Sequence, residues 1–392
     1  MWTPPALPYW RLAGFYFFYF AALGGWLPYW GLLLADEGFD AAAIGLLSAI
    51  LMATKVVAPN LWGALAARTG RPLALIRLGS LCALLCFMGV FVRRDFLWLV
   101  AVIAAYSFFW NGVLPQFEVV TLAHLRQHFR YYSLIRLWGS IGFILAVWLL
   151  GLWFAHHALQ TLPAIIALLL LGMWLISLSL TEVPVGRSAA PAGEFWQILR
   201  RPGVVSFFVA SGLLQFSHGP YYAFYSIYLA DEGFGPLLIG SLWSLGVVAE
   251  VVLFTVMHRI LNRWNLRQLL LASLLLSALR WWLIARYGGA VSVLAFAQLL
   301  HAASFGSSHA VAIEFVRRYF AGGHQGQGQA LYSGFSFGAG GALGALASGL
   351  MWAEHASATF EMAAAACVLA AALAWWRLRG VPVELTVRQY GR

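Results

Sequence analysis

The sequence predicts an all-α membrane protein whose twelve transmembrane helices form two pseudo-symmetric six-helix halves. Three observations lead there. Hydrophobic residues make up 62% of the 392 positions and charged residues 10%, against about half and about a quarter in soluble domains. Apolar runs long enough to span a bilayer recur along the chain, separated by short polar breaks. The stretch LADEGF occurs twice, from Leu34 to Phe39 and again from Leu229 to Phe234.

A spanning helix needs about 20 apolar residues, so helix and loop together take about 30 and the chain has room for about a dozen. The expected spans are 8–33, 41–66, 72–92, 95–122, 132–155, 161–181, 203–230, 237–260, 266–286, 290–318, 326–352 and 357–377. The first run has no basic leader and no small-residue cleavage site, and it outlasts a signal sequence's apolar core, so it is read as a retained span. The longest polar break, EVPVGRSAAPAGEFWQILRR, falls at mid-chain. Its Pro/Ala/Gly/Ser part reads as a linker and FWQILRR as a short interfacial turn. Segment 182–202 therefore divides a first half, 1–181, from a second half, 203–392, with a short tail.

The net charge of +10 would suit nucleic acid if it were a surface patch. Instead Lys55 is the sole lysine and the arginines cluster at the ends of apolar runs, so the expected partner is a lipid bilayer and not nucleic acid. Arg68, Arg71, Arg126, Arg130, Arg187, Arg200, Arg201, Arg259, Arg263, Arg267, Arg317, Arg318, Arg377, Arg379 and Arg388 fall on one side. Asp36, Glu37, Asp40, Asp231, Glu232 and Glu354 fall on the other, with Arg93, Arg94 and Arg286 as exceptions. By the positive-inside rule both termini face the cytoplasm of an inner-membrane protein. Cys82, Cys86 and Cys367 lie inside apolar runs without metal-ligand spacing and read as packing residues.

Each LADEGF joins an odd span to the next even one and is followed at one offset by Ile-Gly, Ile44-Gly45 and Ile239-Gly240. A turn matched by coincidence would not also match in span order and half-chain offset. Two halves related by an axis along the membrane normal, with a site near the midplane between them, explain all three.

Ionisable groups at bilayer depth are expensive unless paired or facing a cavity, so each is a functional candidate. They are Lys55, Glu118, Arg136, Glu250 and Arg280, with Glu314 at the margin and His218, His301 and His309. Glu118 and Arg136 face each other across the fourth and fifth spans, either as a local salt bridge or as a site where the guanidinium fork grips a substrate. Glu250 lies in SLGVVAEVVLF, and an acid in such apolar surroundings is either a hydrogen-bonded structural group or a proton carrier. The histidines are relay candidates or neutral helix-to-helix bonds. Arg280 is read as a gate or interface group that could equally snorkel to the membrane surface. Adding 195 to 55 gives 250, so Lys55 and Glu250 are equivalents, and Lys55 is expected near Tyr332 as part of a gate. The aromatics Phe15, Tyr16, Tyr19, Tyr29, Phe108, Trp110, Tyr221, Tyr222 and Tyr225 are divided between lipid and cavity.

Several stretches resemble the major facilitator superfamily, in particular its phenylpropionate permease branch and the related lactose permease group. YWRLAGFYFFYFAALGGWLPYW resembles that group's aromatic opening span. GALAARTGRP, Gly63 to Pro72, resembles the signature loop after the second span, with Ala67 where an aspartate is usual. NGVLPQFEVV followed by RLWGSIG is similar in the spacing of Asn111, Glu118 and Arg136. LLHAASFGSSHA and GQALYSGFSFGAGGALG resemble hallmarks of the phenylpropionate branch. His301 stands at a position similar to a coupling histidine, with Ser304 where the relative has a glutamate.

The resemblance implies a monomeric, proton-coupled symporter that imports a small organic solute such as a phenylpropionate-like acid. Substrate contacts would come from Glu118, Arg136, Asn111 and Tyr222, and proton coupling from Glu250, His301, His218 and His309. Lys55, Arg280 and Tyr332 would serve gate or interface. The fifth span lacks the glycine-proline pattern of drug antiporters, which points away from efflux. A sugar or nucleoside symporter is the alternative. No enzyme motif, cofactor or metal site is legible, which leaves a multispan enzyme or sensor as the weaker rival.

Overall fold

The computed structural model describes residues 7–125, 128–183, 192–320 and 324–378. The first half holds α1 (Tyr9–Asp36), α2 (Ala41–Thr69), α3 (Pro72–Phe91), α4 (Phe96–Leu125), α5 (Tyr132–Phe154) and α6 (Leu159–Leu178). In the second half α7 comes in two pieces, Pro202–Ser217 and Gly219–Asp231. After it come α8 (Pro236–Arg263), α9 (Leu266–Arg286), α10 (Val291–Tyr319), α11 (Gln325–Trp352) and α12 (Ala356–Arg377). Eleven of these helices are long and apolar enough to cross a membrane unbroken, and the two pieces of α7 complete the twelve expected. The linker residues 184–191 and the arginines at 126, 187, 379 and 388 lie outside the described residues. The expected interfacial turn is a short helix, Ala192–Leu199.

Several helices run about a turn beyond their apolar cores, α2 to Thr69 and α8 to Arg263 among them, because arginines at a helix end complement its dipole. The unforeseen feature is the break in α7. Pro220 has no N–H to give, so the helix stops at His218 and restarts at Gly219. The restart lies so close to α11 that a Cβ on Gly219 would fall 2.1 Å from the Gly344 carbonyl carbon. α10 and α11 each contain a π-helical stretch, Ala302–Ser307 and Ser333–Gly340, a distortion that gathers at functional sites.

The repeated hexapeptide is a repeated structure. Gly38 has φ 87° and Gly233 φ 88°, left-handed values that suit glycine. The N–H groups of Glu37, Gly38 and Phe39 donate to the carbonyls of Leu33, Ala35 and Leu34, and those of Glu232, Gly233 and Phe234 donate to Tyr228, Ala230 and Leu229. Both turns lie on one face of the bundle. The arginines that break the charge rule on that face are each paired: Arg94 with Glu37, Arg93 with Asp95 at 2.9 Å and Arg286 with Glu361 at 3.5 Å. Packing repeats as well. Phe15 stacks on Phe117 at 3.7 Å between α1 and α4, and Phe207 on Phe315 at 3.8 Å between α7 and α10.

The halves close on each other near the LADEGF face. α2 lies so close to α11 that a Cβ on Gly45 would stand 2.7 Å from the Gly349 Cα, and a Cβ on Gly240 of α8 would stand 2.8 Å from the Val147 carbonyl of α5. At mid-depth, Val56 still touches Gly334 and Gly338, and Ser244 donates to the Ile144 carbonyl at 3.5 Å. Nearer the arginine-rich face, the Glu118 and Arg136 side chains keep 38% and 33% of their surface exposed. The interior thus opens toward the arginine-rich face. Among the described residues, no ion pair joins one half to the other.

Candidate functional site

On the first-half wall, Arg136 of α5 is held over the Phe20 ring at 4.3 Å and the Tyr16 ring at 5.3 Å. Its Nε lies 3.6 Å from Glu118 Oε1, so the pair expected from sequence forms, loosely and open to the cavity. Tyr16 donates to Thr121, which fixes the ring under the guanidinium. Arg136 also lies within electrostatic reach of Glu250 and His309 in the other half. It therefore faces the space between the halves.

Asn111 is placed differently from a free substrate contact. Its amide donates to the Leu51 carbonyl at 3.0 Å and to Thr54 Oγ1 at 2.8 Å, which ties α4 to α2. Lys55, one turn away, rests its amine on Met52 Sδ at 3.4 Å. Its backbone approaches Gly334 and Gly338 of α11. Tyr332 is buried and packs on Phe337 and His309.

The second half holds the densest polar cluster. Arg280, expected at a gate or interface, is fully buried at 0% exposure inside that half, a correction with a clear cause. Both amino groups of its guanidinium find acceptors where they stand, while Nε is left without a partner among the described residues, and those bonds hold the group inside the half instead of at the surface. One amino group donates to His301 Nδ1 at 3.0 Å and to Ser304 Oγ at 2.9 Å, and the other to Gln298 Oε1 at 3.0 Å. The rings of Tyr221 and Trp281 lie 4.3 Å from its central carbon. Tyr221 in turn donates to Gln298 Oε1 at 3.2 Å.

This geometry fixes the imidazole. Arginine can only donate, so His301 Nδ1 must accept, and a neutral ring then carries its proton on Nε2. Glu250 Oε2 lies 3.5 Å from that atom. Glu250, His301 and Arg280 thus form one chain from α8 through α10 to α9. A second proton on His301 would set two N–H groups against each other.

The other histidines stand apart from that chain. His218, at the α7 break, donates from Nδ1 to the Leu214 carbonyl at 2.8 Å, and packs edge-on to Trp281. Its Nε2 is buried without a hydrogen-bond partner among the described residues. His309 stacks beyond Phe305, with Nδ1 also unpartnered. Glu314 is no mid-span acid, since it pairs with Arg317 and Arg318 at 2.6 Å near the arginine-rich end. Tyr222 lines a small cavity between the halves together with Trp26, Ser48, Leu51 and Met52. Most of the named aromatics, Phe15, Tyr16, Tyr19, Tyr29, Trp110, Tyr221 and Tyr225, are buried within the protein.

The sequence reading missed Gln298, Trp26 and Met52 as site residues, and left Tyr221 among the aromatics divided between lipid and cavity. Gln298 was findable, since a lone amide three residues before His301 in an apolar run needs a partner. The others need the tertiary packing of α1, α2 and α7.

A twelve-helix bundle of two repeated halves, with buried charges on both walls of a central cavity, is the architecture of a secondary transporter. The chain belongs to the MFS_1 like family, whose model matches residues 9–362, and is a multi-pass membrane transporter of the major facilitator type and not an enzyme. It is 27% identical over 308 residues to the "Probable 3-phenylpropionic acid transporter" of Escherichia coli (strain K12), covering 77% of this chain and 80% of that one. It is 25% identical over 278 residues to the maltose permease of Geobacillus stearothermophilus, covering 68% of each. Its fold is similar to the crystal structure of the nucleoside transporter NupG, with a TM-score of 0.82 at 19% identity over 95% of this chain and 99% of that one.

The fork on Arg136 leads to a first prediction. Arg136→Lys keeps the charge but loses the planar, two-pronged donor set, and a lysine cannot stack on Phe20 in the same way. Its substrate affinity should fall nearly as far as that of Arg136→Ala, by about tenfold or more. Equilibrium binding on the purified variants checks this, and wild-type affinity in Arg136→Lys would refute the bidentate role.

Proposed function

We propose that the chain is a proton-coupled symporter that imports a small organic solute, with an aromatic carboxylate such as a phenylpropionate-like acid as its substrate class. The observation that carries the coupling is the Glu250–His301–Arg280 chain, whose acid lies within reach of Arg136 across the cavity. In this reading Glu250 bears the proton. His301 holds the acid in register with Arg280, because its Nδ1 is already occupied by the guanidinium. Substrate binds between Arg136 and Glu118 on one wall and Tyr222 on the other. His218 and His309 are kept as secondary proton-path candidates, since each leaves one ring nitrogen unpartnered.

The name of the E. coli relative supports the carboxylate. The maltose permease relative favours a sugar as the second reading. The positive-inside rule supports a cytoplasmic-membrane protein with both termini in the cytoplasm, and we infer that it acts as a monomer. The structure is then open to the inside. The test is uptake by proteoliposomes under an imposed pH gradient, with aromatic acids set against maltose and nucleosides. Accumulation of an aromatic acid that a protonophore collapses would support the reading. Gradient-independent uptake, or uptake of the sugar alone, would overturn it.

A further inference from the structure

The charges at mid-depth do not balance. Arg136 has Glu118 beside it, and Arg280 reaches Glu250 through His301. Lys55 has neither. Its amine rests on a thioether, and among the described residues no carboxylate lies within ion-pair distance of it. Three cations, Lys55, Arg136 and Arg280, stand against two acids, Glu118 and Glu250, which leaves 3 − 2 = 1 positive charge without a counter-ion. A half-buried ammonium with no anion near it is costly to keep.

The surroundings of the amine say what would relieve it. Met52, its contact, lines the small cavity between the halves, and Trp26 and Tyr222 line it as well. Met52 also packs on Gly341 of α11, so the thioether spans the seam between α2 and α11. An aromatic face and a polarizable sulfur beside one unpaired ammonium suit a molecule with a flat apolar body and one negative group.

The geometry points to Lys55 as the group that takes the carboxylate of a singly charged substrate, whose ring lies against Trp26, Met52 and Tyr222. This rests on the aromatic-acid reading above and goes further. It assigns the anion to Lys55 and leaves Arg136, whose Nε lies 3.6 Å from Glu118, to line another part of the same site. It also sets the substrate's charge at one, because a neutral sugar or nucleoside would leave the ammonium unpaired and a dianion would exceed it.

The test compares binding of 3-phenylpropionate and of its uncharged amide to purified wild type, Lys55→Met and Lys55→Arg, read by tryptophan fluorescence with maltose as a neutral control. A charge-assisted contact should give wild type an acid-over-amide preference of about 10- to 100-fold. Lys55→Met should lose that preference while keeping its affinity for the amide, and Lys55→Arg should restore most of it. If Lys55→Met binds neither compound, Lys55→Arg decides: a recovered preference supports the assignment and a missing one overturns it. A Lys55→Met protein that still prefers the acid overturns the Lys55 assignment alone. A wild type that binds the acid no better than the amide, or binds maltose instead, overturns the aromatic-acid reading together with it.

Discussion

Glu250→Gln is expected to exchange substrate across the membrane at a rate near wild type and to accumulate none. Glutamine keeps the shape of the acid and an oxygen for His301 Nε2 to donate to, so the link from α8 to α10 survives. What it removes is the group that gains and loses a proton. The groups facing that position are His301 and His309 of α10 and, across the cavity, Arg136 of α5. His301 is a poor substitute carrier, because Arg280 already donates to its Nδ1. With one proton carried per solute, a gradient of about one pH unit supports roughly tenfold accumulation, since one unit corresponds to about 1.4 kcal/mol. The variant should fall from about tenfold to equilibrium, read as labelled substrate retained by proteoliposomes with an acidic exterior. Counterflow on the same preparation reports exchange. Undiminished pH-driven accumulation would remove Glu250 from the proton path.

Gly45→Leu should stop transport almost completely by denying the closed arrangement at the LADEGF face. A single Cβ at this position would lie 2.7 Å from the Gly349 Cα and 2.9 Å from the Ala345 carbonyl oxygen. Both obstacles are backbone, so no rotamer change relieves them. Overpacking a tight contact costs about 1–3 kcal/mol, and a leucine brings three carbons beyond the first. That destabilises only the arrangement in which α2 and α11 touch, and each 1.4 kcal/mol shifts the population about tenfold toward the alternative. Uptake should fall by about tenfold or more. A cysteine placed at Ser48, in the cavity between the halves, should react faster with an impermeant maleimide applied from the LADEGF side. Normal uptake in Gly45→Leu would mean that this contact is not required for the cycle.

Much of the architecture was legible because the membrane leaves few choices. Long apolar runs must be helices, and the observed spans match the expected ones to within about a turn. The hexapeptide repeat announced the two halves because its glycines need a left-handed backbone that other residues rarely take. The α7 break was less visible. Proline is tolerated inside α1, α2 and α4, so Gly219-Pro220 did not by itself signal a stop. The Glu118–Arg136 pair could be read from loop proximity and spacing. The place of Arg280 could not. Burial of a guanidinium depends on five partners drawn from α7, α9 and α10, and no local pattern carries that information. Asn111 shows the same limit from the other side, since its polarity was legible while its engagement with α2 required the neighbouring helix.

Among the described residues, the closest contacts of the seam are backbone and small groups, with no ion pair across it. Dispersion between such surfaces falls off within an ångström or so of separation, whereas opposite charges would keep pulling over several. The closure at the LADEGF face therefore behaves as a latch and not as a spring. It holds at full contact, lets go over a short travel, and exerts almost no restoring pull once parted. A protein built this way has little reason to rest half open, and the salt of its surroundings has little to act on.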